Sequence, residues 1–182
     1  MSSLVYVMGP SGSGKDSCLY AARTAMPPGT KVAFAHRYIT RPAGGGGENH
    51  VALSEGEFAL RQSLGLFALH WASNGWRYGI GLEMDCWLKA GLTVVVNGSR
   101  EYFTQARLRY PGVVGVEISA KPEELRRRLL ARGREDRAAV EARLARSQKL
   151  EPIESGLHHI DNSGPLEQAA TALTKLLLEI SG

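Results

Sequence analysis

Seven residues, Gly9-Pro10-Ser11-Gly12-Ser13-Gly14-Lys15, follow directly on the apolar run Leu4-Val5-Tyr6-Val7-Met8 and lead into a helical pattern from Lys15 to about Thr24. The chemistry this arrangement can do is polyphosphate binding. A buried strand that ends in a glycine-rich turn and opens a helix can wrap unpaired amide N–H groups around an anion, and the helix N-terminus adds partial positive charge. Gly9, Gly12 and Gly14 permit the turn and the close approach, and Lys15 supplies a point charge for the β- and γ-phosphates of a nucleoside triphosphate. An ordinary Gly/Ser loop is the alternative, and the full Gly-x4-Gly-Lys spacing between strand and helix argues against it.

The residue after the lysine, usually a Ser or Thr whose hydroxyl meets magnesium, is Asp16, followed by Ser17. A carboxylate at this place can bind the metal directly or through water, pair with a nearby arginine, or complement the helix dipole; the metal-linked role is favoured. Ser17 is no simple substitute, because its side chain points about 100° further around the helix.

The elements that must position these residues alternate between strand and helix patterns, as in an α/β fold with a parallel sheet covered by helices. Strands are expected at Leu4–Met8, Lys31–Ala35, Leu92–Val96 and Val113–Ile118, with a short fifth at His158–Ile160. Helices are expected over Gly81–Ala90, stopping at Gly91, over Ser119–Arg132 with Pro122 in the first turn, and over Pro165–Ile180. In the last of these, Leu166, Ala169, Ala170, Leu173, Leu176, Leu177 and Ile180 form one apolar face.

From Arg37 to Tyr78 the alternation breaks. Four consecutive glycines, Gly44 to Gly47, precede a short helix candidate in which Ser54 and Glu57 form a capping-box pair, and clusters at His70-Trp71 and Trp76-Arg77-Tyr78-Gly79 follow. Trp71 and Trp76 read as wall or core residues. The whole chain is read as one domain: a core of 1–36 and 81–182, a binding insertion at 37–80 and a lid at about 131–146.

At 182 residues the chain suits a single core, and its net charge of +4 suits acidic small molecules as well as nucleic acid. No nucleic-acid motif accompanies the charge, so nucleic acid is not expected as a partner. Two scattered cysteines, Cys18 and Cys86, are too few for a disulfide framework or a zinc site, and Cys18 reads as a small core residue. A core strand begins within a few residues of Met1 and no apolar run has the length of a membrane span, so the expectation is a soluble cytoplasmic protein without membrane contact. Oligomeric state is left open, a homodimer included.

With the P-loop, Ile39-Thr40-Arg41-Pro42, Trp76-Arg77-Tyr78-Gly79 and Arg132-Gly133, the chain resembles the guanylate-kinase-like P-loop phosphotransferases over essentially its whole length. More narrowly it is similar to the ribose 1,5-bisphosphate phosphokinases of phosphonate catabolism, which make 5-phosphoribosyl 1-diphosphate. Guanylate kinases have Ser-Thr where this chain has Asp16-Ser17, a second arginine where it has the glycine run, a phosphate-contacting tyrosine where it has the Asn49-His50 region, and Asp where it has Asn97. Gly-Lys-Asp-Ser, Tyr-Ile-Thr-Arg-Pro, Glu-Asn-His and Val-Asn-Gly-Ser-Arg instead resemble the ribose bisphosphate enzymes.

The resemblance implies ATP as phosphoryl donor, Mg2+ as cofactor and a ribose bisphosphate as acceptor. Residues 9–17, namely Gly9, Pro10, Ser11, Gly12, Ser13, Gly14, Lys15, Asp16 and Ser17, would hold the nucleotide, with Asp16 toward the metal. Asn162, in Ile160-Asp161-Asn162, matches a nucleotide-edge loop, although a helix cap and turn explains the segment equally well. On the acceptor side Arg41 is the strongest candidate because guanidinium binds phosphate bidentately; Arg37, Arg77 and Tyr78 are weaker, and Glu48, Asn49 and His50 could meet sugar hydroxyls. Of the lid arginines Arg132, Arg134, Arg137, Arg143 and Arg146, the resemblance favours Arg132 and Arg143 as the catalytic pair beside Lys15, and a solvated helix surface accounts for most of the rest. A guanylate or other nucleoside monophosphate kinase is the second reading, and a non-catalytic binding module of the same fold the third.

Overall fold

In a computed structural model, which describes residues 2–43, 50–131, 140–141, 144–145 and 156–182, the continuous apolar runs become the middle of a parallel sheet. The elements are β1 (Leu4–Met8), α1 (Lys15–Ala25), β2 (Val32–Phe34), β3 (Arg37–Ile39), β4 (Val51–Ala52), α2 (Glu55–Ser63), β5 (Phe67–Ser73), β6 (Trp76–Gly81) and α3 (Glu83–Lys89). They continue with β7 (Thr93–Asn97), a 3-10 turn (Arg100–Tyr102), α4 (Phe103–Arg109), β8 (Val114–Ser119), α5 (Pro122–Ala131), β9 (Leu157–Asp161) and α6 (Leu166–Ser181).

The five-stranded sheet runs β2-β7-β1-β8-β9 with every pairing parallel. All residues of β1 and β7 are buried, which is why both read as unbroken apolar runs: a strand covered on both faces has no polar side to alternate with. Val5, Val7, Val95, Val116 and Ile118 face Cys18 and Ala22 of α1 and Leu173 and Leu177 of α6. Tyr6, Met8, Val94 and Val96 face the other way, onto Met84 of α3, Phe103 and Ala106 of α4, and the second sheet. Leu173 and Leu177 are fully buried, and burial of each stabilises the α6 docking by about 1.5–3 kcal/mol. The strand and helix positions expected for this core are all found, with ends shifted by at most three residues.

Between Arg37 and Tyr78, where the sequence suggests a binding insertion with one short helix, the structure adds strands. A second sheet, in the order β4-β3-β6-β5, occupies residues 37–81 around α2. The overlooked signal is Asn74-Gly75, which forms the tight turn of the β5–β6 hairpin with φ of 50° and 78°, as turns that match strand twist require. What reads as aromatic clusters is strand alternation: Trp71 and Tyr78 lie opposite one another, with rings stacked at 5.4 Å. Trp71 is buried as expected, whereas Trp76 sits at the exposed hairpin end and is not a core residue. In α2 the Glu57 N–H donates to Ser54 Oγ at 3.1 Å, but the Glu57 carboxylate turns forward to Arg61, so the capping box is only half formed. The short α4, absent from the sequence reading, buries Phe103 and Ala106.

Both cysteines are free, Cys18 buried and Cys86 exposed. Among the described residues no helix is long and apolar enough to cross a membrane.

Candidate active site

Doubly wound parallel sheets bind ligands at the C-terminal ends of their strands, and the candidate residues gather there: Gly9 after β1, Asn97 at the end of β7 and Asn162 after β9. The loop from Gly9 to Gly14 turns from β1 into α1 with Ser13 N–H donating to the Pro10 carbonyl at 3.1 Å. Gly14 has φ 79° and lies against the Asn162 amide, and Gly9 lies against the Ile118 carbonyl, so a Cβ at either place would collide with its neighbour. No side chain caps α1, so the amides of its first turn stay directed at whatever sits in the loop.

The loop is braced from behind. Asn162, 2% exposed, donates from Nδ2 to the Ser13 carbonyl at 2.7 Å, while its own N–H donates to the Ser119 carbonyl at 2.7 Å. Arg128 of α5 donates from Nη1 to the Ser13 carbonyl at 3.3 Å and from Nη2 to the Asn162 carbonyl at 2.8 Å. Glu124 in turn accepts from Arg128 Nε at 2.6 Å, and hydrogen bonds from Arg127 and Arg128 hold its carboxyl down at about 2. Asn162 therefore supports the phosphate loop from beneath, and the neighbouring Asp161 accepts from Ser163 N–H in a tight turn.

In front of the loop stands a cluster of opposite charges. Lys15 Nζ lies 3.2 Å from Asp16 Oδ1 and donates to Asn97 Oδ1. Asn97 Nδ2 donates to Asp16 Oδ1 at 2.8 Å, and Arg37 Nη2 approaches the same oxygen to 3.8 Å. The Lys15 ammonium, then Arg37 and the Asn97 amide, hold the Asp16 carboxyl well below the usual carboxylate range against the penalty of burial. Of the open alternatives for Asp16, pairing with an arginine is seen, through Arg37 on β3. Ser17 is exposed.

Arg37 joins this cluster to the second sheet. Its guanidinium lies over the Tyr78 ring at 5.2 Å from the centroid, and Tyr78 is itself sandwiched against Trp71. His50 Nε2 lies 3.0 Å from the Arg41 carbonyl; since a carbonyl only accepts, the ring carries its proton on Nε2, and His50 and Arg41 tie together the two flanks of residues 44–49. Glu48 and Asn49 fall outside the described residues, as do the lid candidates Arg132, Arg134, Arg137, Arg143 and Arg146. Of the expected lid, Val140 and Leu144 are seen packed on Leu125 and Leu129 of α5, and Arg126 pairs with Glu141.

Two residues enter the site that the sequence reading left off it. Asn97 was legible from its place at the C-terminal end of a buried parallel strand. Arg128 was not, because nothing in its spacing separates it from the solvated arginines around it. Tyr6 is a third, indirect contributor: its buried hydroxyl accepts from Ser99 N–H at 2.9 Å and donates to the Ser99 carbonyl at 3.0 Å, fixing the loop that leaves Asn97.

No family model matches the chain. Among curated proteins it is 54% identical to the ribose 1,5-bisphosphate phosphokinase PhnN of Desulfomicrobium baculatum, covering 100% of this chain and 98% of that one. It is 51% identical to the phosphokinase of the same name from Thiobacillus denitrificans (96% and 92% covered) and 53% identical to that of Burkholderia mallei (96% and 94%). Among solved structures, a guanylate kinase from Anaplasma phagocytophilum superposes with a TM-score of 0.70 at 17% identity, over 99% of this chain and 86% of that one. An unliganded sugar kinase from Janibacter sp. gives 0.52 at 24% identity, over 98% and 96%. The structural likeness establishes a guanylate-kinase-like fold, and the sequence likeness, more than half identical from end to end, is narrower: the chain belongs to the family of ribose 1,5-bisphosphate phosphokinases named PhnN.

Proposed function

We propose that the chain transfers the γ-phosphoryl group of ATP to the 1-phosphate of ribose 1,5-bisphosphate, giving 5-phosphoribosyl 1-diphosphate and ADP. The family supports the substrate pair, and one observation carries the geometry: Arg37, on the second sheet, reaches the Asp16 carboxylate beside Lys15, so a cation of the second sheet meets the lysine of α1 in front of the phosphate loop.

On this reading Lys15 and the loop amides hold the donor phosphates, and Arg37 and Arg41, with Tyr78, His50 and Glu48 around them, hold the acceptor. A non-bridging oxygen of the 1-phosphate attacks the γ-phosphorus, and the bond from that phosphorus to the β,γ-bridging oxygen breaks with its electron pair leaving on ADP. A phosphate oxygen is already ionised at neutral pH, so no side chain has to remove a proton. Arg132 and Arg143, from the lid, neutralise the transferring group.

Asp16 fits magnesium as a single ionised, partly exposed carboxylate; among the described residues no group of three acidic, histidine or cysteine side chains supplements it. That donor set suits an ion that takes most of its ligands from phosphates and water. When bound, magnesium would offset the negative charge on the donor phosphates. The enzyme acts in the cytoplasm on small molecules, without nucleic acid or membrane.

The guanylate-kinase fold favours a second reading, a nucleoside monophosphate kinase. A coupled assay of ADP release separates the two: ribose 1,5-bisphosphate is the productive acceptor and GMP is not, and release with GMP alone reverses the assignment. Lys15→Ala abolishes turnover on either enzymatic reading, whereas on the third reading, a non-catalytic binding module, the native chain shows no turnover and the variant keeps its partner binding.

A further inference from the structure

Phosphate-binding loops that transfer phosphoryl groups use a hydroxyl directly after the lysine and an acidic side chain presented from a neighbouring strand, and together these two hold the metal side of the triphosphate. In this chain the two places are filled by Asp16, directly after Lys15, and by Asn97, the last residue of β7, which lies beside β1 with Val7 opposite Asn97. We propose that Asp16 and Asn97 are an exchanged pair: of these two positions the loop helix, not the strand, carries the carboxylate, and Asn97 is the positioning residue that aims it.

The contacts make the exchange specific. Asn97 Nδ2 donates to Asp16 Oδ1 at 2.8 Å while its Oδ1 accepts from Lys15 Nζ, so one side chain orients both charged groups. An amide does both at once, whereas an ionised Asp has no proton to donate and an apolar residue would leave Lys15 and Asp16 without this partner. Burial explains the direction of the exchange. Asn97 is buried, whereas Asp16 is partly exposed. The charge therefore resides on the member that meets solvent and phosphate, and the buried strand end carries a neutral group. A carboxylate at position 97 with Asp16 still present would set two negative charges at hydrogen-bond distance. The Tyr6 hydroxyl, clamped to both backbone groups of Ser99, keeps the residues after Asn97 from relaxing away from this contact.

The inference rests on the reading that a metal-bound triphosphate sits on this loop, and its test uses binding without acceptor so that the two can fail separately. Asp16→Ser, Asn97→Asp and the double variant are compared by Mn2+ binding in the presence of ADP, followed by electron paramagnetic resonance, and by steady-state kinetics. Each single change is expected to weaken Mn2+ binding and lower kcat by about 100-fold, as loss of a metal-orienting contact does. The double variant, which moves the carboxylate back to the strand, is expected to recover to within about tenfold of the native chain, a strong departure from additivity. Losses that simply multiply in the double variant, or an Asn97→Asp chain with native Mn2+ affinity and kcat, overturn the proposal. Should a serine at 16 impair folding, the isosteric pair Asp16→Asn with Asn97→Asp makes the same exchange, and its failure to recover Mn2+ binding overturns the proposal equally. If the native chain binds Mn2+ with ADP and the exchange rescues it, yet ribose 1,5-bisphosphate elicits no ADP release, the acceptor assignment falls and the exchanged pair stands.

Discussion

Replacing Asn162 with alanine removes the brace beneath the phosphate loop and should show in both stability and nucleotide affinity. The lost bond, Nδ2 to the Ser13 carbonyl at 2.7 Å, is buried, and leaving such an acceptor without its donor costs about 1–3 kcal/mol. Two features hold the loss to the lower part of that range. Arg128 Nη1 still lies 3.3 Å from the same carbonyl, and alanine also deletes Asn162 Oδ1, a buried acceptor for which the described residues supply no hydrogen-bond partner. A net loss of about 1–1.5 kcal/mol translates, for a chain of this size, into a Tm lower by about 2–6 °C. The Ser13 carbonyl orients the loop amides on either side of it, so KM for ATP should rise by about tenfold with a smaller change in kcat. Thermal melting of the unliganded chain and ADP release at varied ATP measure the two effects. Asn162→Asp, which sets a second acceptor against the Ser13 carbonyl, should be worse than alanine on both counts. A Tm within about 1 °C of native refutes the energetic reasoning; a lowered Tm with unchanged KM refutes the link from brace to nucleotide.

Arg37→Gln should raise KM for the acceptor by about tenfold and leave KM for ATP nearly unchanged, because a charged phosphate contact is lost on one side only; an equal rise in both would place Arg37 on the donor side. Tyr6→Phe removes both hydrogen bonds to Ser99 and should destabilise the chain by about 1–3 kcal/mol in urea unfolding, with an unchanged midpoint counting against the clamp. The Asp16 carboxyl titrates below its ordinary value of 3.8 in the folded chain, so its contribution to stability is complete above that value and is lost as pH falls through the lower folded one. The Tm difference between native and Asp16→Asn chains should therefore stay constant from about pH 5 to 8 and shrink below about pH 4; a difference that grows on acidification has the wrong sign for this account.

The two central strands were legible because burial on both faces leaves no ambiguity in an apolar run such as Leu4–Met8 or Leu92–Val96, and the other three core strands from their place in the strand–helix alternation. The second sheet was not, although Asn74-Gly75 marks its hairpin, because β3 and β4 are only three and two residues long and the aromatic residues of β5 and β6 read as clusters instead of as strand alternation. At the site the phosphate loop was plain from local spacing alone, since a strand, a glycine turn and a helix N-terminus are contiguous in the chain. Asp16 stood out by type, but its partners did not: Asn97 lies 81 positions away and Arg37 arrives from the other sheet.

By itself, then, the sequence determined the phosphate-binding loop, the parallel core and the family, all carried by residues adjacent in the chain or by patterns of burial along it. Tertiary structure alone decided what Asp16 touches, that Asn97 orients it, and that Asn162 and Arg128 hold the loop from behind. The physical reason is range. Backbone turns and amphipathic faces are dictated by neighbours a few residues apart, whereas the charge cluster forms where strand order sets the ends of β1 and β7 side by side and β3 of the second sheet brings Arg37 to them, and no local pattern records which side chains meet there.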